Sequence, residues 1–214
     1  MRIYPPTDYL PLNVTGGGIR EFMQLFRQLR RRWVKVEFLQ EYDESGFSGY
    51  EAFKRGYYEE AARLVREMVK SQDEIYSHAR RYGVAMTRVR VCRLPLSSYL
   101  LNYEFAAYRA DIECGEDIRF IDEREISDLI AETGISDFLV FDDEKVVALI
   151  YDLASSTLRE ARLVERPELV EQYVQVADRL IALSTPMLNS PLYLESRQGR
   201  RQEAAYAVRN GSAR

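Results

Sequence analysis

Two groups of carboxylates stand out in this 214-residue chain: Glu104, Glu113, Glu116 and Asp117, then Asp142 and Asp143. Oxygens from such side chains, brought together, suit Mg²⁺ or general acid–base work, although their spacing matches no ligand loop of the EF-hand kind. Arginines supply the other reading. Arg88 and Arg90 alternate in MTRVRVCRL, and Arg119 follows two residues after Asp117 in CGEDIRFID, residues 114–122. In an extended chain Asp117 and Arg119 point to one face, away from Ile118. Acid–arginine pairs of this kind fix strand ends without catalysing anything, so Glu116 or Asp117 is expected to pair with Arg119 or Arg90. Any pocket is expected where Arg88, Arg90, Tyr99 and Glu104 approach the strand of Glu116, Asp117 and Arg119. Those seven residues are the candidate ligand or partner contacts. No catalytic residue, metal ligand or cofactor is assigned.

Several chemistries lack their parts. His78 is the sole histidine and lies beside Arg80 and Arg81 on a polar helix surface, where serine or cysteine nucleophiles find no partner. Cys92 and Cys114 have no CxxC spacing, which argues against a zinc site and for a reduced, cytosolic protein. The start, MRIYPPTDYLPLNV, has no signal-peptide pattern, and no run of about 18 apolar residues appears. Gly16–Gly18 lack the strand–helix context of a phosphate loop and read as a joint. Net charge is −4, but residues 41–194 hold 18 Lys/Arg against 29 Asp/Glu. Such a body repels phosphates, so direct nucleic-acid binding is not expected. The densest basic run, Arg30–Arg32, reads as a solvated helix end.

The elements that must position these groups follow from periodicity. Ile19, Phe22, Met23, Phe26 and Leu29 share a helical stripe. WVKVEFL alternates as a half-buried strand with Val34, Val36 and Phe38 on one face and Lys35 and Glu37 on the other. YDESGFSG is a loop, and residues 57–82 read as one long helical region stopped by Gly83. MTRVRVCRL is a strand, Ser97 caps a helix over SYLLNYEFAAY, IRFI is a strand, and EREISDLIAET is a helix closed by Gly134. FLVF, VVALIYD and TLREARLV form an antiparallel set turning at Asp142–Lys145, and Pro167 opens a last helix. The class is α/β (α+β): a single sandwich of a mixed, partly antiparallel sheet with flanking helices, over residues 19–186. Residues 1–18 are an irregular arm, and 187–214 a polar tail.

The run RVRVCRLPLSSYLLNYEF, then GEDIRFI, then DFLVFDDEKVVALIYD, resembles the actinobacterial family called domain of unknown function 6879. Pro95, Leu96, Ser97, Tyr99, Glu104, Gly115–Arg119, Asp137, Phe138, Phe141 and Asp142 carry the likeness over roughly residues 20–185. Leu139 stands where the family usually has tryptophan, and Arg166 precedes Pro167 in place of aspartate. The family association implies pairing with helix-turn-helix regulators in toxin–antitoxin-like modules. The closing hairpin and helix also resemble phospholipase-D-like effector domains, whose HxKxxxxD motif is absent because Ala79, Arg80 and Arg81 follow His78. The expected function is therefore a non-enzymatic regulatory or interaction protein, cytoplasmic, binding a protein or a small ligand. The alternative is a tailoring enzyme of a biosynthetic pathway that uses the carboxylate–arginine cluster.

Overall fold

The structure, a computed structural model, describes residues 2–14 and 19–197. Among the described residues eight strands form one mixed sheet: β1 (Leu10–Leu12), β2 (Arg32–Glu37), β3 (Ala85–Cys92), β4 (Asp117–Asp122), β5 (Phe138–Phe141), β6 (Lys145–Asp152), β7 (Thr157–Val164) and β8 (Thr185–Pro186). Their spatial order is β1-β7-β6-β5-β2-β3-β4-β8. β2, β3 and β4 run parallel, and the other pairings are antiparallel. The class is α/β.

The parallel connections carry helices. Between β2 and β3 come α2 (Ser48–Lys54), α3 (Tyr58–Ser71) and α4 (Asp73–Tyr82); between β3 and β4 comes α5 (Phe105–Cys114). With α1 (Ile19–Gln28) they cover one face, where Phe26, Trp33, Val65, Tyr103, Phe120 and Leu139 share a core. The opposite face packs Val34, Val36, Val89, Val91 and Val140 under α6 (Ser127–Thr133) and α7 (Pro167–Leu183). The central strands are therefore buried on both faces, as parallel strands between helical layers usually are. The face of WVKVEFL that carries Lys35 and Glu37 is turned to a second core and its cavity: Glu37 is buried and Lys35 only 26% exposed.

Other differences are local. The helical pattern of 57–82 breaks at Gln72 into α3 and α4, and Gly83 ends α4 in a left-handed conformation, φ 66°. The loop read at YDESGFSG gives way to α2 at Ser48. A Cβ on Gly49 would stand 3.2 Å from the Tyr103 ring and from the Val65 backbone nitrogen, so glycine lets α2 sit close against its neighbours. The stretch read as an irregular arm contributes β1, which pairs with β7, and Ile3, which is buried and accepts a hydrogen bond from Tyr173. Gly16–Gly18 lie outside the described residues. Packing continues past residue 186, because Ser190 and Tyr193 are buried; residues 198–214 of the expected tail lie outside the described residues.

The Arg30–Arg32 run is more than a solvated end. Its three backbone N–H groups donate to the Asp142 carboxylate at 2.7, 2.7 and 3.0 Å, tying the start of β2 to the β5–β6 turn. Arg32 adds ion pairs to Asp143 and Asp178.

Candidate functional site

Parallel pairing sets Lys35 beside Arg88 and Glu37 beside Arg90, all facing the α3–α5 layer. Glu37 is 1% exposed. It accepts a 2.6 Å hydrogen bond from the Tyr108 hydroxyl and faces Lys35 at 2.6 Å, Arg88 at 3.3 Å and Arg90 at 3.6 Å. Burial, the largest single influence, pushes its carboxyl up, yet the three cations together hold it well below the usual range. Arg88 reaches the other way, to both oxygens of Glu116 at 3.1 and 3.2 Å and to Asp111 at 3.7 Å. Burial raises Glu116 to about 7 against the pull of Arg88. Tyr76 donates to Asp111 at 2.6 Å.

Arg90 is fully enclosed. It donates to the Leu39 carbonyl and stacks 5.2 Å from the Tyr42 ring centroid, while its Nε and Nη1 have no hydrogen-bond partner. Tyr42 in turn donates to buried Asp137. A buried cation held mainly by one carboxylate and one ring is tolerable only while those partners stay in place.

Ser97 caps the next helix as expected, its hydroxyl accepting from the Leu100 N–H. The helix then takes a π turn at Leu100–Glu104, in which the Phe105 N–H reaches the Leu100 carbonyl five residues back. That turn brings Tyr99, Tyr103 and Glu104 onto one buried patch. The Tyr99 oxygen lies 2.7 Å from Glu44 and 2.9 Å from Glu104, and Tyr103 donates to Glu44 at 2.8 Å. A phenol has one proton, so both Tyr99 contacts are hydrogen bonds only if a carboxyl supplies the second. Glu104 is the natural holder. Burial first, then the Glu44 and Glu37 charges, push it up to about 8, against Arg90 and Arg88.

Of these groups Glu37, Glu44, Arg88, Glu104 and Glu116 line the floor of a cavity of about 670 Å³, and Arg90 and Tyr99 do not. Phe22, Met23, Phe26, Leu139 and Leu149 line its apolar side, and Trp33, Lys35, Arg88, Glu37 and Glu104 its polar side. The Trp33 indole N–H and the Arg88 Nε are buried with no hydrogen-bond partner among the described residues. A concave, mostly apolar space with a few convergent polar groups is the usual form of a small-molecule site.

Of the seven candidates, Arg88, Arg90, Tyr99, Glu104 and Glu116 come together around Glu37. Asp117 and Arg119 do not. They lie on the α7 face, where Arg119 donates to Asp117 at 3.1 Å and to the Ser184 hydroxyl and carbonyl at 3.0 and 2.7 Å. Arg119 thus pairs with Asp117, whereas Glu116 and Arg90 have other partners. Sequence reasoning missed Glu37, Lys35, Asp111, Glu44 and Tyr108. The alternation that sets Lys35 and Glu37 on one face of a half-buried strand is visible in the sequence, but it does not say what covers that face. His78 packs on Tyr82 and contacts the Leu29 carbonyl at 2.9 Å, away from the cavity. Among the described residues no group of three or more His, Cys, Asp and Glu side chains is arranged to hold a metal ion. No described helix is long and apolar enough to cross a membrane.

Residues 20–189 match the model of the family described as "Domain of unknown function (DUF6879)". The chain belongs to that family. No curated protein matches it in sequence. Among solved structures, it is similar to the archaeal chromatin protein TrmBL2, described as showing a novel mode of DNA binding, at 9% identity and TM-score 0.41, covering 86% of this chain and 56% of that one. The phospholipase D family member Nuc from Salmonella typhimurium aligns at 8% identity and TM-score 0.44, covering 79% and 90%. Phosphatidylserine synthase from Haemophilus influenzae aligns at 12% and 0.41, covering 92% and 45%. The chain spans about half the length of the first and third. Likenesses this loose carry no weight for function.

Proposed function

We propose that this DUF6879 member is a non-enzymatic binding protein whose cavity takes a small molecule, and that it acts as a regulatory module with a protein partner. One observation carries the binding reading. The cavity joins an apolar wall to a polar floor whose cations are each already paired with a carboxylate, while two buried donors, on Trp33 and Arg88, have no hydrogen-bond partner among the described residues. Catalytic sites instead keep a reactive group aimed at substrate. The regulatory half, with a helix-turn-helix protein as partner, is supported by the family association alone. Nucleic acid is not proposed as a direct partner, given the acidic body.

A second reading, a tailoring enzyme, draws on the proton that Glu104 holds beside the cavity. It requires that proton to pass to a bound substrate, so a bound molecule would come back changed in mass.

The neutral probe N-phenyl-1-naphthylamine tests the binding reading. Its fluorescence should rise with the wild-type protein and fail to rise with Leu158→Trp, which puts an indole at the cavity's edge on β7. An equal rise in a folded Leu158→Trp protein would refute this location.

A further inference from the structure

Charge is not balanced around the cavity. Five carboxyl side chains are buried there or just behind it: Glu37, Glu104, Asp111, Glu116 and Asp137. Three cations face them, Lys35, Arg88 and Arg90, and each already has a carboxylate partner. An anionic head entering this space would have to strip a cation from its partner and would meet the remaining carboxylates. A neutral head would leave the excess as it stands.

The hydrogen bonds locate where the excess is absorbed. Glu104 is faced by Tyr99 and Tyr108 from its own helical segment, by Glu37 on β2, by Glu44 in the loop after β2, and by Arg88 and Arg90 on β3. Only one of its oxygens has a hydrogen-bond partner, and the shared Tyr99 contact calls for a proton between Glu44 and Glu104. A second, independent observation concerns two further lining residues: the Trp33 indole N–H and the Arg88 Nε are buried and have no hydrogen-bond partner among the described residues. Beyond Trp33 stand Phe22 and Phe26, the apolar end.

From end to end the cavity is lined by an apolar wall, then by Trp33 and Arg88, then by a carboxyl pair holding one proton. We infer that it selects a basic amphiphile: an apolar body, an oxygen acceptor along it, and a terminal ammonium that seats between Glu104 and Glu44. On binding, Glu104–COOH becomes Glu104–COO⁻ against the ammonium, and its proton leaves to solvent, so the charge within the site is unchanged. This inference rests on the cavity being a ligand site. It adds the ligand's chemical class.

Three probes with one body test it: 3-phenoxypropylamine, 3-phenoxypropan-1-ol and 3-phenoxypropanoate, titrated calorimetrically at pH 7.5 into the full-length protein. The amine should bind at least tenfold more tightly than the alcohol, and the carboxylate should not bind. Amine heats should differ between phosphate and Tris buffers, reporting a released proton. In Glu104→Gln that buffer dependence should vanish and amine affinity should fall about tenfold; Glu44→Gln, nearer the surface, should lower affinity similarly if the first variant does not fold. Carboxylate binding as tight as the amine, or amine affinity unchanged in a folded Glu104→Gln or Glu44→Gln protein, overturns the inference. Binding by alcohol or carboxylate that Leu158→Trp abolishes would leave the cavity reading standing. Failure of all three probes and of the fluorescent probe would end both.

Discussion

The Tyr99 hydroxyl bridges Glu44 and Glu104, at 2.7 and 2.9 Å, and so ties the loop after β2 to the π turn that follows the neighbouring strand β3. Tyr99 and Glu104 are five residues apart. The wider turn lets them meet, and an ordinary helix would point them to different sides. The bridge sets the Glu104 carboxyl, pushed up to about 8 chiefly by burial, on the polar floor of the cavity.

The Glu104 proton makes stability depend on pH. The folded protein keeps it up to about pH 8, whereas the unfolded chain releases it near the ordinary carboxyl value of 4.5. The folded state therefore binds more protons across that window, and this group's contribution to stability declines as pH rises through it. Glu104→Gln removes the slope, since an amide can also donate to Tyr99. Melting temperatures of the two proteins should nearly coincide at pH 5, with the variant gaining on the order of 2 kcal/mol by pH 8. Parallel melting curves over the whole range would exclude a protonated Glu104.

Arg90 and Glu37 should behave as a unit. Arg90→Met leaves the Glu37 carboxylate with Lys35 and Arg88 alone, and urea unfolding should show a loss of about 3 kcal/mol. Adding Glu37→Gln should return part of that loss, giving a coupling energy of about 1 kcal/mol or more. Strictly additive effects would mean the two side chains do not interact.

Arg119 should matter to stability and not to the cavity. Its firmest contacts are to Ser184, because Asp117 is 49% exposed and its ion pair is worth little. Arg119→Met is expected to cost about 1–2 kcal/mol. The further change Asp117→Asn should recover almost none of it, and binding of N-phenyl-1-naphthylamine should be unaltered. A loss of probe binding in a folded Arg119→Met protein would return this residue to the site.

The Asp142 carboxylate is the acceptor for three consecutive backbone N–H groups, from a residue at φ 53°. Asp142→Ala should destabilise by about 2–4 kcal/mol, through lost acceptors and a backbone angle that alanine dislikes. Asp142→Asn keeps one carbonyl oxygen and tolerates that angle, so thermal melts should place it between the two. Equal melting of the Ala and wild-type proteins would rule out the anchoring role.

The features legible in the chain's residue pattern are mostly local. The strands at MTRVRVCRL, IRFI and FLVF, the cap at Ser97, the stop at Gly83 and the helix opened by Pro167 all follow from side-chain periodicity, hydroxyl capping and fixed backbone angles, which act over a few residues. Periodicity also put Arg88 with Arg90, and Asp117 with Arg119, each pair on one face of its strand. It did not say what covers each face. Tertiary structure decided that, because the helices crossing between the parallel strands lie on the face where Lys35, Glu37, Arg88 and Arg90 point. Burial there makes Lys35, Glu37, Arg88 and Arg90 a paired network, and leaves Asp117 and Arg119 under α7. Glu37, Glu44, Glu104 and Glu116 come from separate elements, and only strand pairing and the π turn bring their charges close enough for one to hold a proton.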